Sequence, residues 1–157
     1  MSIADVLTAI QNNGLARVLT KSNHLVIAGL QLAHVFGFLL LLGSLLLMSL
    51  RLMGLVLQRQ SVPQATGELA KLFKGGLALA LGSGVLMFLT GPKHYFYNRA
   101  FDIKMLLLLA ALIAQFLLFS RIAARDSPRP NLARLSVALS LVFWFGVGIA
   151  GRAIGFV

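Results

Sequence analysis

The chain has 157 residues, 59% hydrophobic and only 11% charged, with a formal net charge of +10 and no cysteine. A soluble domain holds roughly 45–50% apolar residues, so a water-surrounded fold is excluded, and the apolar runs suit helices crossing a hydrocarbon layer roughly 30 Å thick. The cations flank apolar runs instead of clustering with exposed aromatics, which points to anionic lipid headgroups and away from nucleic acid; without thiols, any cofactor must use nitrogen, oxygen or methionine.

Residues 3–19 place Ile3, Val6, Leu7 and Ile10 at helical spacing, then Leu15, Val18 and Leu19 after a break at Gln11-Asn12-Asn13-Gly14. This predicts a short helix lying in the membrane surface. Asp5 and the interrupted apolar pattern argue against a cleaved signal peptide. The first long apolar run covers about 25–57, roughly 50 Å of helix, more than a bilayer requires, so part of it must protrude or tilt. A second run covers about 69–90 and stops at Gly91-Pro92, because proline cannot continue the helical hydrogen-bond ladder. A third covers about 101–123, followed by a turn at Ser127-Pro128-Arg129-Pro130, and a fourth covers about 132–155. With no internal repeat, the expectation is a single membrane domain over 1–157: an all-α integral membrane four-helix bundle with a short N-terminal interfacial helix.

Orientation follows from lysine and arginine bias. The end of the bundle that holds both termini carries six such cations (Arg17, Lys21, Lys93, Arg99, Lys104 and Arg152), and the opposite end carries eight. Both termini are therefore expected outside the cytoplasm, in a bacterial inner membrane.

Polar residues bracket each span at similar intervals: His34 to Arg51, Lys74 to His94, Lys104 to Arg121 and Arg134 to Arg152. Each interval is roughly 25–30 Å of helix, one hydrocarbon thickness. His34, His94, Lys104 and Arg152 then fall at one level. Snorkelling explains Lys104 and Arg152 equally well. His34 differs, because continuous apolar sequence surrounds it and ionisable groups inside membrane helices are functional by default. Gln31, His34, Gly37, Phe38, Leu41 and Ser44 share one stripe, putting Gly37 one turn from His34, where a flat ring has room to approach.

His94 lies among Tyr95, Phe96 and Tyr97, a setting that suits an interfacial aromatic belt. Two imidazoles can ligate haem iron and methionine can replace one, so His34 and His94 are the expected metal ligands, with Met87 in reserve and His24 a weaker candidate. Arg51, enclosed by apolar residues, needs a lipid phosphate, a carboxylate or a cofactor acid group. The acids are Asp5, Glu68, Asp102 and Asp126, none mid-membrane, which argues against a carboxylate proton pump or cation channel. Nucleophile triads, Walker loops and dinucleotide fingerprints are absent.

The stretch His34-Val-Phe-Gly37 through Leu42-Gly43-Ser44 to Leu50-Arg51-Leu52-Met53-Gly54, with Asn98-Arg-Ala-Phe101-Asp-Ile-Lys104 and Gly151-Arg152-Ala-Ile154-Gly155, resembles a bacterial family of small four-helix membrane proteins of unknown function. Where an acid is expected before the first-helix arginine, this chain has Ser49. The layout of a histidine and downstream arginine on helix one, with a lysine opening helix three, is more distantly similar to HemJ-type protoporphyrinogen oxidases and copper-resistance D-type membrane proteins. That resemblance implies haem b or a metal beside His34 and Lys104, without implying enzymatic activity.

The sequence thus leads to a membrane-embedded redox protein using b-type haem or quinone-linked electron transfer, with His34 and His94 as ligands and Lys104 or Arg152 pairing with propionates. The alternative is a non-catalytic subunit or anchor, packing into a larger complex or a homo-oligomer through small-residue faces. A metal or small-solute permease is the weakest reading, since no continuous polar stripe runs along a helix.

Overall fold

The computed structural model describes residues 3–21, 24–125 and 128–156. Ser127 and Asp126 lie outside the described residues, as does the side chain of Lys21. Among the described residues, four helices are long and apolar enough to cross a bilayer. The protein is an all-α membrane bundle.

Two short helices come first, α1 (Ile3–Gln11) and α2 (Gly14–Lys21), parted at the expected break. Leu7 and Ala16 are buried, and both helices rest on the chain that follows: α1 on the short helix α5 (Pro92–Phe96), α2 on the spanning helix α4 (Val62–Thr90). They cap the bundle at the end where both termini lie.

The first spanning helix, α3 (His24–Leu52), is shorter than the apolar run that carries it. Gly54 stops it. With φ at +75°, it accepts the left-handed position that closes a helix. Its N–H donates to the Arg51 carbonyl and the Leu55 N–H to the Leu50 carbonyl, each at 2.9 Å. Helix α4 starts seven residues earlier than the apolar run implies. Ser61 caps it by accepting from Gln64 N, and Pro63 sits in its first turn. Arg51 ties the connecting loop down by donating to the Gln60 carbonyl.

The third span opens at Asn98, whose side chain accepts from Ala100 N at 2.9 Å and Phe101 N at 3.3 Å. It comprises α6 (Arg99–Ile113), a π-helical segment at Ala114–Phe119 and α7 (Ser120–Ala123). The final span, α8 (Pro130–Ala153), begins with proline at its first position, where the missing N–H costs nothing. Asn98 Nδ2 donates to the Ile154 carbonyl at 3.2 Å, tying the start of the third span to the end of the fourth.

Packing is pairwise. Helix α3 lies chiefly on α4 and α6 on α8, with α3 also meeting α8. Gly37 and Gly76 let α3 and α4 touch backbone to backbone: a Cβ at Gly37 would stand 2.7 Å from Ala80 N, and one at Gly76 would stand 2.6 Å from the Gly37 oxygen. The core between the pairs holds Leu41, Leu45, Met48, Phe73, Phe119 and Trp144, the indole edge-on to Phe73 at 5.6 Å. Leucines and valines on the outer faces remain exposed, as a lipid-facing surface requires.

Candidate functional site

His34 projects from α3 against α4. Its Nδ1 lies 2.8 Å from the Ala80 carbonyl oxygen and 3.2 Å from Ser83 Oγ. A carbonyl can only accept, so this partner places the proton on Nδ1. Ser83 donates its own proton to the Leu79 carbonyl at 2.6 Å, leaving lone pairs to share the Nδ1 proton. Nε2 consequently carries the lone pair, and it has no hydrogen-bond partner among the described residues. Gly84 makes this placement possible, since a Cβ there would come within 3.2 Å of the imidazole Cε1.

Lys104 reaches the same level from α6. Its stem crosses Gly151 of α8, with Cε 3.5 Å and Nζ 3.6 Å from the place a Cβ would take. One turn toward the opposite end, the Phe38 ring fills the notch at Gly148, so the His34 turn and the Gly151 turn stand side by side. The ammonium is within coulombic range of His34, and among the described residues it has no ion pair. Both side chains are half-buried. An imidazole nitrogen without a partner and a lysine without an ion pair among the described residues thus lie at one level of the bundle, toward its terminal end.

The remaining candidates separate. His94 is exposed on α5, its ring edge-on to Tyr95 at 5.5 Å. Gly91-Pro92 ends α4 and carries His94 outward, whereas Ser83 and Gly84, opposite His34, lie six or more residues before that end, roughly 9 Å lower. The two imidazoles are not gathered around one metal position, and no cluster of three or more His, Asp or Glu residues occurs among the described residues. Arg152 is exposed, its guanidinium 4.6 Å above the Phe156 ring. Met87 is half-buried one turn beyond Ser83 on the same face of α4. His24 is exposed at the first position of α3. The space expected beside Gly37 for a flat ring is filled by the backbone of α4, because close helix packing uses that glycine.

The chain belongs to a family of unknown function (DUF6644). That family's model matches residues 17–157, from within α2 through all four spans, so the His34–Lys104 region is part of the shared unit. No curated protein and no solved structure matches the chain.

Sequence reasoning missed the partners that orient His34. Nothing in the sequence marks Ser83 and Gly84 for this role, and only the antiparallel register fixed by Gly37 against Gly76 sets them beside the ring. It also missed the π segment and its buried Gln115. The amide's position in an apolar run was the available signal.

Proposed function

We propose that this chain is a membrane-embedded, quinone-linked redox protein whose headgroup site is formed by His34 and Lys104. The supporting observation is the orientation of His34: with Nδ1 bound to the Ala80 carbonyl, Nε2 is an acceptor at the level where Lys104 packs across Gly151. A quinone carbonyl accepts from Lys104, and a quinol hydroxyl donates to His34 Nε2, so the two groups serve both redox forms. Interconversion takes two electrons and two protons. The chain's own groups address the protons, and a redox-active partner in the membrane supplies or takes the electrons.

Haem b fits these residues less well. His34 has the Nδ1-to-carbonyl bond usual for a ligating imidazole. Yet His94 stands off, and both glycine flanks near His34 are occupied, Gly37 by α4 and Gly84 by the imidazole itself.

The test begins with chain purified in detergent. Its optical spectrum, oxidised and reduced, should show no Soret band, and solvent extraction should recover quinone. A short-chain quinone should bind about tenfold more weakly to Lys104→Met and His34→Ala, a loss of about 1.4 kcal/mol each. Equal binding by wild type and both variants sinks the reading. A Soret band that His34→Ala abolishes would replace it with the haem version. Migration only within a larger native complex, with neither cofactor, would favour the subunit.

A further inference from the structure

At the end away from the termini, α4 and the third span touch at Phe73 and Phe116, whose ring centroids are 6.4 Å apart, and again where Thr66 Oγ1 meets the Ala123 carbonyl at 3.4 Å. Between these contacts runs a groove of about 190 Å³. The π segment shapes one wall. Its additional residue turns the helical face that follows by about 100° relative to an uninterrupted α-helix. Ser120 Oγ donates to the Gln115 carbonyl at 2.8 Å, occupying a backbone acceptor in the widened turn.

Gln115 lines this groove while only 3% exposed, and its Oε1 has no hydrogen-bond partner among the described residues. An amide oxygen buried among apolar groups without a donor is costly, most of all in hydrocarbon, where water cannot compensate. A second polar group stands at the rim. Lys74 is exposed, no acid lines the groove, and no ion pair neutralises this lysine among the described residues. Lys74 and Gln115 adjoin the touching rings of Phe73 and Phe116 and are therefore level with each other. The rest of the lining includes Met48, Phe119 and Ala70.

The missing complement is an anion joined by a short link to a hydroxyl, carried on an apolar body that stays in the bilayer. The volume is below the roughly 300–1,000 Å³ of sites that enclose a whole drug-sized ligand, so it suits a headgroup alone. We infer that the groove binds one anionic glycerophospholipid of the phosphoglycerol type, phosphate on Lys74 and headgroup hydroxyl on the Gln115 side-chain amide. Its acyl chains lie along the lipid-facing sides of α4 and the third span. The inference is independent of the His34–Lys104 reading.

Native mass spectrometry of the detergent-purified chain, titrated with phosphatidylglycerol or phosphatidylcholine, tests it. Wild type should retain one phosphatidylglycerol per chain, about tenfold more strongly than phosphatidylcholine. Lys74→Gln should lose that preference and Lys74→Arg should keep it. Gln115→Leu should weaken phosphatidylglycerol about tenfold while remaining folded, since leucine suits the apolar wall. Millimolar inorganic phosphate should not displace the lipid; displacement would make the site one for free phosphate and overturn the proposal. Equal retention of both lipids by wild type, or unchanged preference in Lys74→Gln and Gln115→Leu, would overturn it too.

Discussion

A backbone carbonyl decides what His34 offers. Ala80, by accepting from Nδ1, leaves the lone pair on the far nitrogen, Nε2. Ser83 adds a second, longer contact at 3.2 Å. Ser83→Ala should preserve the tautomer and the fold while lowering quinone affinity a few-fold, measured by equilibrium titration; a loss as large as that of His34→Ala would mean Ser83 itself contacts the ligand. A buried hydroxyl in α8 behaves differently. Ser140 is fully buried and its Oγ has no partner among the described residues. Ser140→Ala removes a desolvated polar group without opening a cavity larger than one oxygen, so it should stabilise by about 1 kcal/mol, seen as a higher unfolding midpoint in detergent. His34 was legible in the sequence because an imidazole inside an apolar run is rare. The roles of Ala80 and Ser83 were not, since a backbone carbonyl has no sequence signature and serine is common in membrane helices.

Helices in this chain are defined by their ends and close crossings more than by apolar content. Apolar sequence continues past Leu52, yet Gly54 in the left-handed conformation closes α3. In the other direction, Ser61 and Pro63 start α4 in sequence too polar to read as a span. Hydropathy therefore located the four spans, while capping chemistry set their limits. The Gly37–Gly76 crossing permits a sharp test. Gly37→Ala forces a methyl against the α4 backbone and should destabilise by about 1–3 kcal/mol, because neither backbone can yield alone. Gly75→Ala, one residue from the crossing with nothing within 4 Å, should be neutral or stabilise by up to about 1 kcal/mol. Thermal unfolding of the pair separates packing from helix propensity; equal effects would refute the crossing. The π segment left no comparable trace in sequence, because Ala114–Phe119 departs from the surrounding apolar pattern only at Gln115, and an amide does not specify a widened turn.

The whole molecule places two chemically different regions at opposite ends of the bundle, and orientation determines which side each faces. Spans that are apolar on nearly every face say little about which helix packs on which, so the pairing of α3 with α4 and α6 with α8 had to come from the structure. It also refines the charge argument. Lys104 is half-buried and packed across Gly151, so it should not weigh in the count of flanking cations. Arg51, half-buried and held by the Gln60 carbonyl, drops out on the same ground, which leaves five lysines and arginines at the terminal end against seven at the other, the same margin of two as in the sequence. From the positive-inside rule we predict the termini outside the cytoplasm and the Lys74–Gln115 groove in the cytoplasmic leaflet, where anionic headgroups attract basic surfaces. An alkaline phosphatase fused after Val157 should be active, and a fluorescent protein that matures only in the cytoplasm should stay dark at the same position. The reverse pair of results would turn the bundle over: the His34–Lys104 centre would then draw its protons from the cytoplasm and the groove would take its lipid from the outer leaflet. Mutating Arg121, Arg125 and Arg129 together to glutamine should shift some chains into that inverted form, because the charge difference setting the orientation is then gone.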